Sequence, residues 1–182
     1  MKLQKIYLKN YRNYDDILLE LNNNLNIIIG DNAQGKTNLL ESIYVLAVTK
    51  SFLSINDKNL INFNSRYSMI KGIVDYNGSY DELELLINEN GKVVKINKKE
   101  IKKLSDYISK MNVILFSSDS IRIFKDSPSC RRKYFNIQIS QINKIYLANL
   151  NNYNLVLITI IKVKIFNIKL NINKLIMLIN FY

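Results

Sequence analysis

Eight residues near the start of the chain have the types and spacing that bind phosphate. They fit the pattern G-x-x-x-x-G-K-[ST]. Gly30 and Gly35 let the backbone turn sharply and approach phosphate oxygens. The amides of residues 33–37 are expected to form an anion-binding nest, reinforced by the N-terminus of a following helix. We predict a nucleotide-binding loop formed by Gly30, Asp31, Asn32, Ala33, Gln34, Gly35, Lys36 and Thr37.

Two side chains complete this predicted site. Lys36 is expected to reach the β- and γ-phosphates of ATP, and the Thr37 hydroxyl is expected to ligate Mg²⁺. Asp31 is read as a loop-forming residue that tolerates unusual backbone angles. Asn32 is interpreted in the same way, as a loop-forming residue, and a hydrogen bond from its side chain to a phosphate is the alternative. The predicted cofactors are therefore ATP and Mg²⁺.

The loop must be positioned by the elements on either side of it. An apolar run at residues 25–29 predicts a buried strand, and apolar positions at helical spacing predict a helix over residues 36–48. Residues 2–24 predict one or two more strands with asparagine-rich turns between them. Strand, loop and helix in this order are the setting that a phosphate-binding loop requires.

The middle of the chain predicts antiparallel strands. The Asn77-Gly78 and Asn90-Gly91 dipeptides are flanked by alternating residues and are typical of tight hairpins. Short helices are predicted near residues 104–110 and 119–124, with a buried strand at residues 113–116 between them. Ser127 as side-chain N-cap and Pro128 at the first helical position predict a longer helix to about residue 151.

Hydrolysis by such a loop needs an acidic residue at the end of a second buried strand. Asp75 lies in a hairpin and Asp119 stands two residues beyond the apolar run 113–116, so neither fits. The chain contains no histidine. We therefore predict no catalytic residue and leave it open whether the chain is an enzyme.

The amino-acid composition limits which binding partners and which cellular compartment we expect for the chain. The net charge of +11 favours a polyanion such as nucleic acid, or reflects an AT-rich coding bias toward lysine. The single cysteine excludes an internal disulfide, and without histidine a Cys/His zinc site is excluded too. Charged residues in the first ten positions exclude a signal peptide, and asparagines make residues 145–161 a poor membrane span. We expect a cytoplasmic protein that does not enter a membrane.

The last 28 residues, 155–182, differ in composition because they contain no Gly, Pro, Asp or Glu. Lysines alternate there with β-branched and other apolar residues, which favours strands and aggregation-prone edges. We interpret this tail as a non-homologous end translated from AT-rich sequence, and a native antiparallel strand pair is the alternative. Resequencing the coding region would distinguish the two.

Several collinear segments resemble the RecF family of DNA replication and repair proteins, which is related to SMC-type and ABC-type ATPases. The resemblance extends to about Tyr153 and covers some four fifths of the chain. Besides the phosphate loop and its helix (residues 30–44), it is carried by LKNYRNY (8–14), KSF (50–52), VKIN (94–97), NVILFS (112–117) and KDSPSCRRKYFN (125–136).

The resemblance implies an α/β fold: a partial P-loop NTPase of the ABC/SMC-like head type, with a mixed sheet, an antiparallel meander subdomain and helices. Residues 1–153 would be an incomplete ATPase head, and residues 154–182 a divergent tail. The implied function is ATP binding and DNA binding in recombinational repair, replication and the SOS response to DNA damage. Implied partners are single-stranded or gapped duplex DNA, a second head in an ATP-dependent homodimer, and recombination mediator proteins.

The resemblance also implies roles for four basic residues. Arg12 would help to hold the phosphates, with a solvated turn charge as the alternative. Arg131, Arg132 and Lys133 begin a helix, where the helix dipole opposes cations. Contact with DNA or nucleotide is one reading of these three residues, and packing against Asp126 or another acidic neighbour is the other.

Three departures from the family weaken the expected activity. Cys130 stands where the family has Glu, so half of a capping box is lost. The FSSDS sequence at residues 116–120 replaces the family's FSPED. The family is about twice as long, and its second half supplies the signature loop and the acidic strand. We therefore expect a truncated chain with impaired hydrolysis; a small P-loop kinase and a nonfunctional fragment are the alternatives.

Overall fold

An antiparallel sheet of six strands is the framework of the chain. The computed structural model describes residues 1–117, 120 and 122–179. Among these residues the strand order is β2-β1-β3-β4-β5-β6, and every pairing is antiparallel. The strands are β1 (Lys2–Tyr11), β2 (Tyr14–Glu20), β3 (Tyr67–Asp75), β4 (Tyr80–Asn88), β5 (Gly91–Ile96) and β6 (Lys99–Glu100).

The predicted meander is confirmed, and its first turn has the expected chemistry. Asn77 and Gly78 both have positive φ, 58° and 100°, between β3 and β4. This geometry matches the right-handed twist of the strands that the turn joins. In the second hairpin Asn88 pairs with Gly91, so Gly91 begins β5 and the loop lies one residue earlier than the dipeptide suggests.

The helix predicted after the phosphate loop forms as α1 (Lys36–Val48). Its Val45 and Leu46 side chains are fully buried in the core with the inner faces of β1 and β3. Leu46 packs so closely that a Cβ built on Gly72 of β3 would lie 2.5 Å from Leu46 Cδ2. The other helices are α2 (Leu104–Ile108), α3 (Arg122–Lys125), α4 (Pro128–Ile142) and α5 (Lys144–Ile179), with a 3₁₀ helix at Asp57–Leu60.

Two predicted strands are wrong. Residues 25–29 and 113–116 have no strand assignment, and none of the described strands pairs with either segment. Their apolar side chains stay largely exposed, for example Ile29 at 88% and Phe116 at 87%. The physical reason is that a strand needs a hydrogen-bonded neighbour, which the described part of the chain does not provide at these positions.

Helix α4 departs from prediction in two ways. The helix predicted to residue 151 ends at Ile142, because Asn143 has extended backbone angles (φ −128°, ψ 106°), and α5 then begins. Ser127 occupies the N-cap position but makes no capping side-chain bond, and its Oγ lies 2.6 Å from Ser129 Oγ. Pro128 begins α4 as predicted.

The tail is helical up to Ile179, within α5. The prediction that residues 155–182 favour strands is therefore wrong for the part of the tail that the structure describes. A helix satisfies its backbone hydrogen bonds internally, whereas a strand needs a partner. The chain divides into two compact units, Met1–Lys144 and Ile145–Tyr182. The predicted domain boundary after residue 153 falls inside α5 and stays a prediction.

Of the helices in the described residues, none is long and apolar enough to span a membrane.

Candidate nucleotide-binding site

The phosphate loop, residues 30–37, leaves the extended backbone at Gly30 and enters α1 at Lys36. Residues 31–34 are not helical. Ala33 and Gly35 have left-handed φ values of 65° and 97°, and Gln34 between them does not. Such alternation turns successive N–H groups toward one side and forms an anion-binding concavity.

The amides of this loop are free to receive an anion. Among the described residues, no protein acceptor meets the N–H groups of Ala33, Gly35, Lys36 or Thr37. The first intrahelical bond runs from Leu39 N–H to the Gly35 carbonyl at 2.9 Å. The same four residues line a cavity of about 200 Å³ together with Asn32 and Asn38.

Two side chains of the predicted site lie at this cavity. The Lys36 ammonium folds back over the loop and donates to the carbonyls of Gly30 and Asp31, at 2.6 and 2.5 Å. Thr37 is exposed, and its hydroxyl is available as a hard oxygen ligand of the kind Mg²⁺ prefers. Gln34 accepts the Asp31 N–H through its side chain at 3.1 Å and so closes the first turn of the loop.

The turn between β1 and β2 supports the loop from the other side. Tyr14 donates its hydroxyl hydrogen to the Gly35 carbonyl at 3.2 Å, and Asn13 Nδ2 donates to the Gln34 carbonyl at 3.4 Å. Asn38 of α1 donates to Asn13 Oδ1 at 2.7 Å. Sequence reasoning missed Asn13 and Tyr14 because these contacts join residues more than twenty positions apart.

Glycine is required at position 35 for two independent reasons. Its φ of 97° is unfavourable for any residue with a side chain, and a Cβ there would lie 2.5 Å from Asn13 Nδ2. A Cβ at Gly30 would meet only the flexible end of Gln34, at 2.6 Å from Oε1.

Arg12 lies beside α1 and is held by Glu41. Its Nε and Nη2 donate to the two carboxylate oxygens of Glu41 at 2.9 and 2.7 Å. Glu41 is fully buried and also accepts from the Tyr11 hydroxyl at 2.8 Å and from Ser51. The guanidinium is thus engaged by a carboxylate, and a phosphate contact for Arg12 stays a prediction.

This cluster has a defined protonation state. Burial alone would raise the pKa of Glu41, but hydrogen bonds from Arg12, Ser51 and Tyr11 outweigh burial and hold this pKa below its usual value. The pKa of Tyr11 is raised, first by burial and then by the neighbouring Glu41 charge. Glu41 is therefore an anion that locks the β1–β2 turn to the helix of the phosphate loop.

The basic residues at the start of α4 lie apart from this loop in the chain, and no hydrogen bond among the described residues joins the two. Arg131 donates to the backbone carbonyls of Asp126 and Ile123 at 3.0 and 3.4 Å, so its partners are carbonyls rather than a carboxylate. Arg132 and Lys133 are exposed to solvent. A DNA-binding role for these three residues remains a prediction.

Of the two acidic residues considered for Mg²⁺, Asp75 lies in the sheet and not at the loop. The Asp75 carboxylate accepts from Gln4 and from the Gly78 N–H, which are structural contacts of the sheet and its turn. Asp119 lies outside the described residues. Within the described residues, no group of three or more His, Cys, Asp or Glu could hold a metal ion.

Comparison with known proteins identifies the family of the chain. It matches the family described as AAA ATPase domain over residues 1–182. It is 45% identical over 157 residues to the DNA replication and repair protein RecF of Staphylococcus haemolyticus, and 44% identical to that of Staphylococcus carnosus. Each match covers 86% of this chain and 42% of the relative. The chain therefore spans less than half the length of the curated relatives it matches.

Solved structures agree with this result. The recombination mediator protein RecF of the RecFOR pathway, in a structure named RecF-ATPrS, superposes with a TM-score of 0.79 at 36% identity. That match covers 84% of this chain and 42% of the solved chain. An SMC ATPase structure gives a TM-score of 0.58 at 17% identity, over 75% of this chain and 99% of that one, which shows a shared fold. The predicted P-loop NTPase fold of the ABC/SMC head type is confirmed.

Proposed function

The chain belongs to the AAA ATPase domain family and corresponds to the N-terminal part of RecF, and from this premise we propose that it binds Mg²⁺-ATP at the phosphate loop. The observation that carries the proposal is the set of unpartnered amides at Ala33, Gly35, Lys36 and Thr37 around one cavity. Solved RecF structures named for ATP and ATPrS support the choice of nucleotide.

Different groups of the loop bind different parts of Mg²⁺-ATP. The amides donate to phosphate oxygens, where the dipole of α1 adds favourable potential. Lys36 exchanges its bonds to the carbonyls of Gly30 and Asp31 for the β- and γ-phosphates. The Thr37 hydroxyl ligates Mg²⁺, which neutralises phosphate charge when bound. Asn32 lines the same cavity, and we expect its side-chain amide to donate to a phosphate oxygen.

We extend the proposal to the biological role on the basis of similarity to RecF. The chain would act in recombinational DNA repair and replication in the cytoplasm, in contact with single-stranded or gapped duplex DNA. An ATP-dependent homodimer and recombination mediator proteins are the proposed protein partners. No observation favours the small-molecule kinase, and loss of function as a fragment is an outcome that the following experiment can detect.

The test is the change in melting temperature on adding Mg²⁺-ATP to the purified chain. Saturating ligand at about 100 times Kd should stabilise the fold by about 2.7 kcal/mol, a rise of several degrees. Lys36→Ala should abolish the rise. Thr37→Ala should remove only the part that depends on Mg²⁺, measured by repeating the titration in EDTA.

Lys50→Ala is the matched control, because Lys50 is an exposed lysine at the far end of α1. It should keep the full rise in melting temperature. A folded chain that shows no rise at millimolar Mg²⁺-ATP would contradict the proposal, and so would equal losses in the Lys36 and Lys50 variants.

A further inference from the structure

Two residues where β1 turns into β2, Asn13 and Tyr14, hold backbone carbonyls of the phosphate loop. Asn13 Nδ2 donates to the Gln34 carbonyl at 3.4 Å, and the Tyr14 hydroxyl donates to the Gly35 carbonyl at 3.2 Å. The packing is close, since a Cβ built on Gly35 would lie 2.5 Å from Asn13 Nδ2 and 3.0 Å from the Tyr14 hydroxyl oxygen. Two consecutive peptide groups of the loop are therefore held by their oxygen atoms.

The direction of each held carbonyl determines the direction of the next amide. A trans peptide group is planar, so its C=O and its N–H point in opposite directions. The peptide group after Gln34 carries the Gly35 N–H, and the peptide group after Gly35 carries the Lys36 N–H. Both N–H groups therefore point away from the β1–β2 turn. Among the described residues neither N–H has a protein acceptor, and Gly35 and Lys36 both line the cavity of the phosphate loop.

The β1–β2 turn is itself anchored to the fold by contacts outside the loop. Its Arg12 donates two hydrogen bonds to the buried Glu41 of α1. The Tyr14 ring packs against the hydrophobic core, and burial raises the pKa of its hydroxyl, so this hydroxyl stays protonated and donates at neutral pH. Asn38 of α1 donates to Asn13 Oδ1 at 2.7 Å, which leaves the Nδ2 end of Asn13 directed at the loop.

We propose that Asn13 and Tyr14 are positioning residues for nucleotide binding, which aim the Gly35 and Lys36 amides at the phosphate groups of the ligand. Neither side chain needs to contact the ligand, because each acts through the peptide group that it holds. A loop whose amides are already aimed loses little conformational entropy when the phosphates bind, so this preorganisation raises the affinity. The inference rests on the proposed function, because it concerns the same loop.

Calorimetric titration of the full chain with Mg²⁺-ATP and with Mg²⁺-tripolyphosphate tests the proposal. Tyr14→Phe removes only the hydroxyl, and Asn13→Ala removes the side-chain amide. Each variant should raise Kd about fivefold, the usual effect of losing one hydrogen bond. The rise should be the same for both ligands, because tripolyphosphate carries the phosphates without the nucleoside. If Asn13→Ala weakened the binding of ATP alone, Asn13 would contact the nucleoside and the positioning role would be overturned.

Tyr7→Phe is the matched control for the loss of a tyrosine hydroxyl. Tyr7 belongs to β1, and its hydroxyl donates to Asp16 of β2 at 2.8 Å rather than to the loop. The control should keep the Kd of the parent for both ligands. An equal rise in Kd for Tyr7→Phe and Tyr14→Phe would show that any weakening of the sheet lowers the affinity, and it would contradict a specific role of Tyr14.

Amide mobility in the free chain gives a second result, which does not depend on nucleotide binding. The NMR order parameters of the Gly35 and Lys36 amides should be near the rigid value of about 0.85 in the parent and below about 0.6 in Asn13→Ala/Tyr14→Phe. Amides that are already mobile in the parent, or that stay rigid in the double variant, would overturn the proposal. A parent that does not bind Mg²⁺-ATP would contradict the proposed function, whereas unchanged affinity in the variants would contradict only the positioning role.

Discussion

The carboxylate of Glu41 joins the first strand to the helix that follows the phosphate loop. It accepts hydrogen bonds from Tyr11, Arg12 and Ser51, three side chains that lie outside α1. Every one of these donors would lose its partner if the carboxylate were replaced. Residues that hold a binding loop in place through a buried charge are therefore expected to matter for stability as much as for binding.

Glu41→Gln should destabilise the fold by about 2 kcal/mol at pH 7. Removing one partner of a fully buried ion pair typically lowers the free energy of unfolding by more than this. The expected loss is smaller here because part of the Arg12 side chain is exposed to water. Because the folded pKa of Glu41 is depressed, the carboxylate contributes stability above its unfolded pKa, and this contribution is lost as pH falls below about 4.5. Urea unfolding should show the two proteins converging below that pH.

Glu20→Gln is the control for this prediction, since Glu20 forms an exposed ion pair with Lys5 on the sheet. Its urea midpoint at pH 7 should equal that of the parent. A gap between parent and Glu41→Gln that widens as the pH falls would contradict the depressed pKa.

Gly35→Ala should destabilise the fold by about 2 kcal/mol through left-handed strain together with the clash at Asn13. Gly78→Ala separates these causes, because Gly78 has a φ of 100° but nothing within 4 Å of its Cβ position. The Gly78 variant should lose about half as much stability, measured by urea unfolding. If both variants lost the same amount, the Asn13 contact would have no energetic role.

At the scale of elements, the sequence predicted correctly the helix and the hairpin that depend on neighbouring residues. It predicted wrongly the two strands that depend on a distant pairing partner. The helix over residues 36–48 and the Asn77-Gly78 hairpin depend on residues that are close in sequence, and both form as expected. The strands at residues 25–29 and 113–116 depend on neighbours that the described residues do not supply. Their apolar sequences match the pattern of buried strands, but the prediction was wrong because burial is a property of the assembled sheet.

The Gln141 side chain of α4 supplies the hydrogen-bond partners that none of the described strands gives to the Val113 backbone. Gln141→Ala should destabilise the fold by about 1–2 kcal/mol, because the Val113 N–H and carbonyl lose their partners. Hydrogen exchange at Val113 should accelerate more than at the amides of β3. Arg132→Ala is the control on the same helix, because Arg132 is exposed, and it should leave Val113 exchange unchanged. Faster exchange there would point to general loosening of α4.

At the scale of the whole molecule, the net charge of +11 dominates the proposed interaction with DNA. Counterion release makes such binding weaken steeply between about 50 and 200 mM salt. The double variant Arg132→Ala/Lys133→Ala should reduce the slope of log K against log salt by about 1.4, measured with fluorescently labelled single-stranded DNA.

Lys98→Ala/Lys99→Ala removes the same charge from the exposed end of the β5–β6 hairpin. We expect a smaller change in slope for this pair, because these lysines lie on a different element from the proposed DNA contact. Equal slopes for the two double variants would show that binding senses only overall charge and would remove the specific role of α4.

The sequence by itself determined the phosphate loop, its helix and the meander, because glycine conformation, helical spacing and Asn-Gly turns act over a few residues. It also predicted that Lys36 and Thr37 complete the site, and the structure has both residues lining one cavity at the start of α1. Only the tertiary structure showed that Glu41 engages Arg12, that Asn13 and Tyr14 brace the loop, and that residues 25–29 and 113–116 pair with none of the described strands. Those features join residues far apart in the chain, and their energy exists only once the sheet and helices have packed.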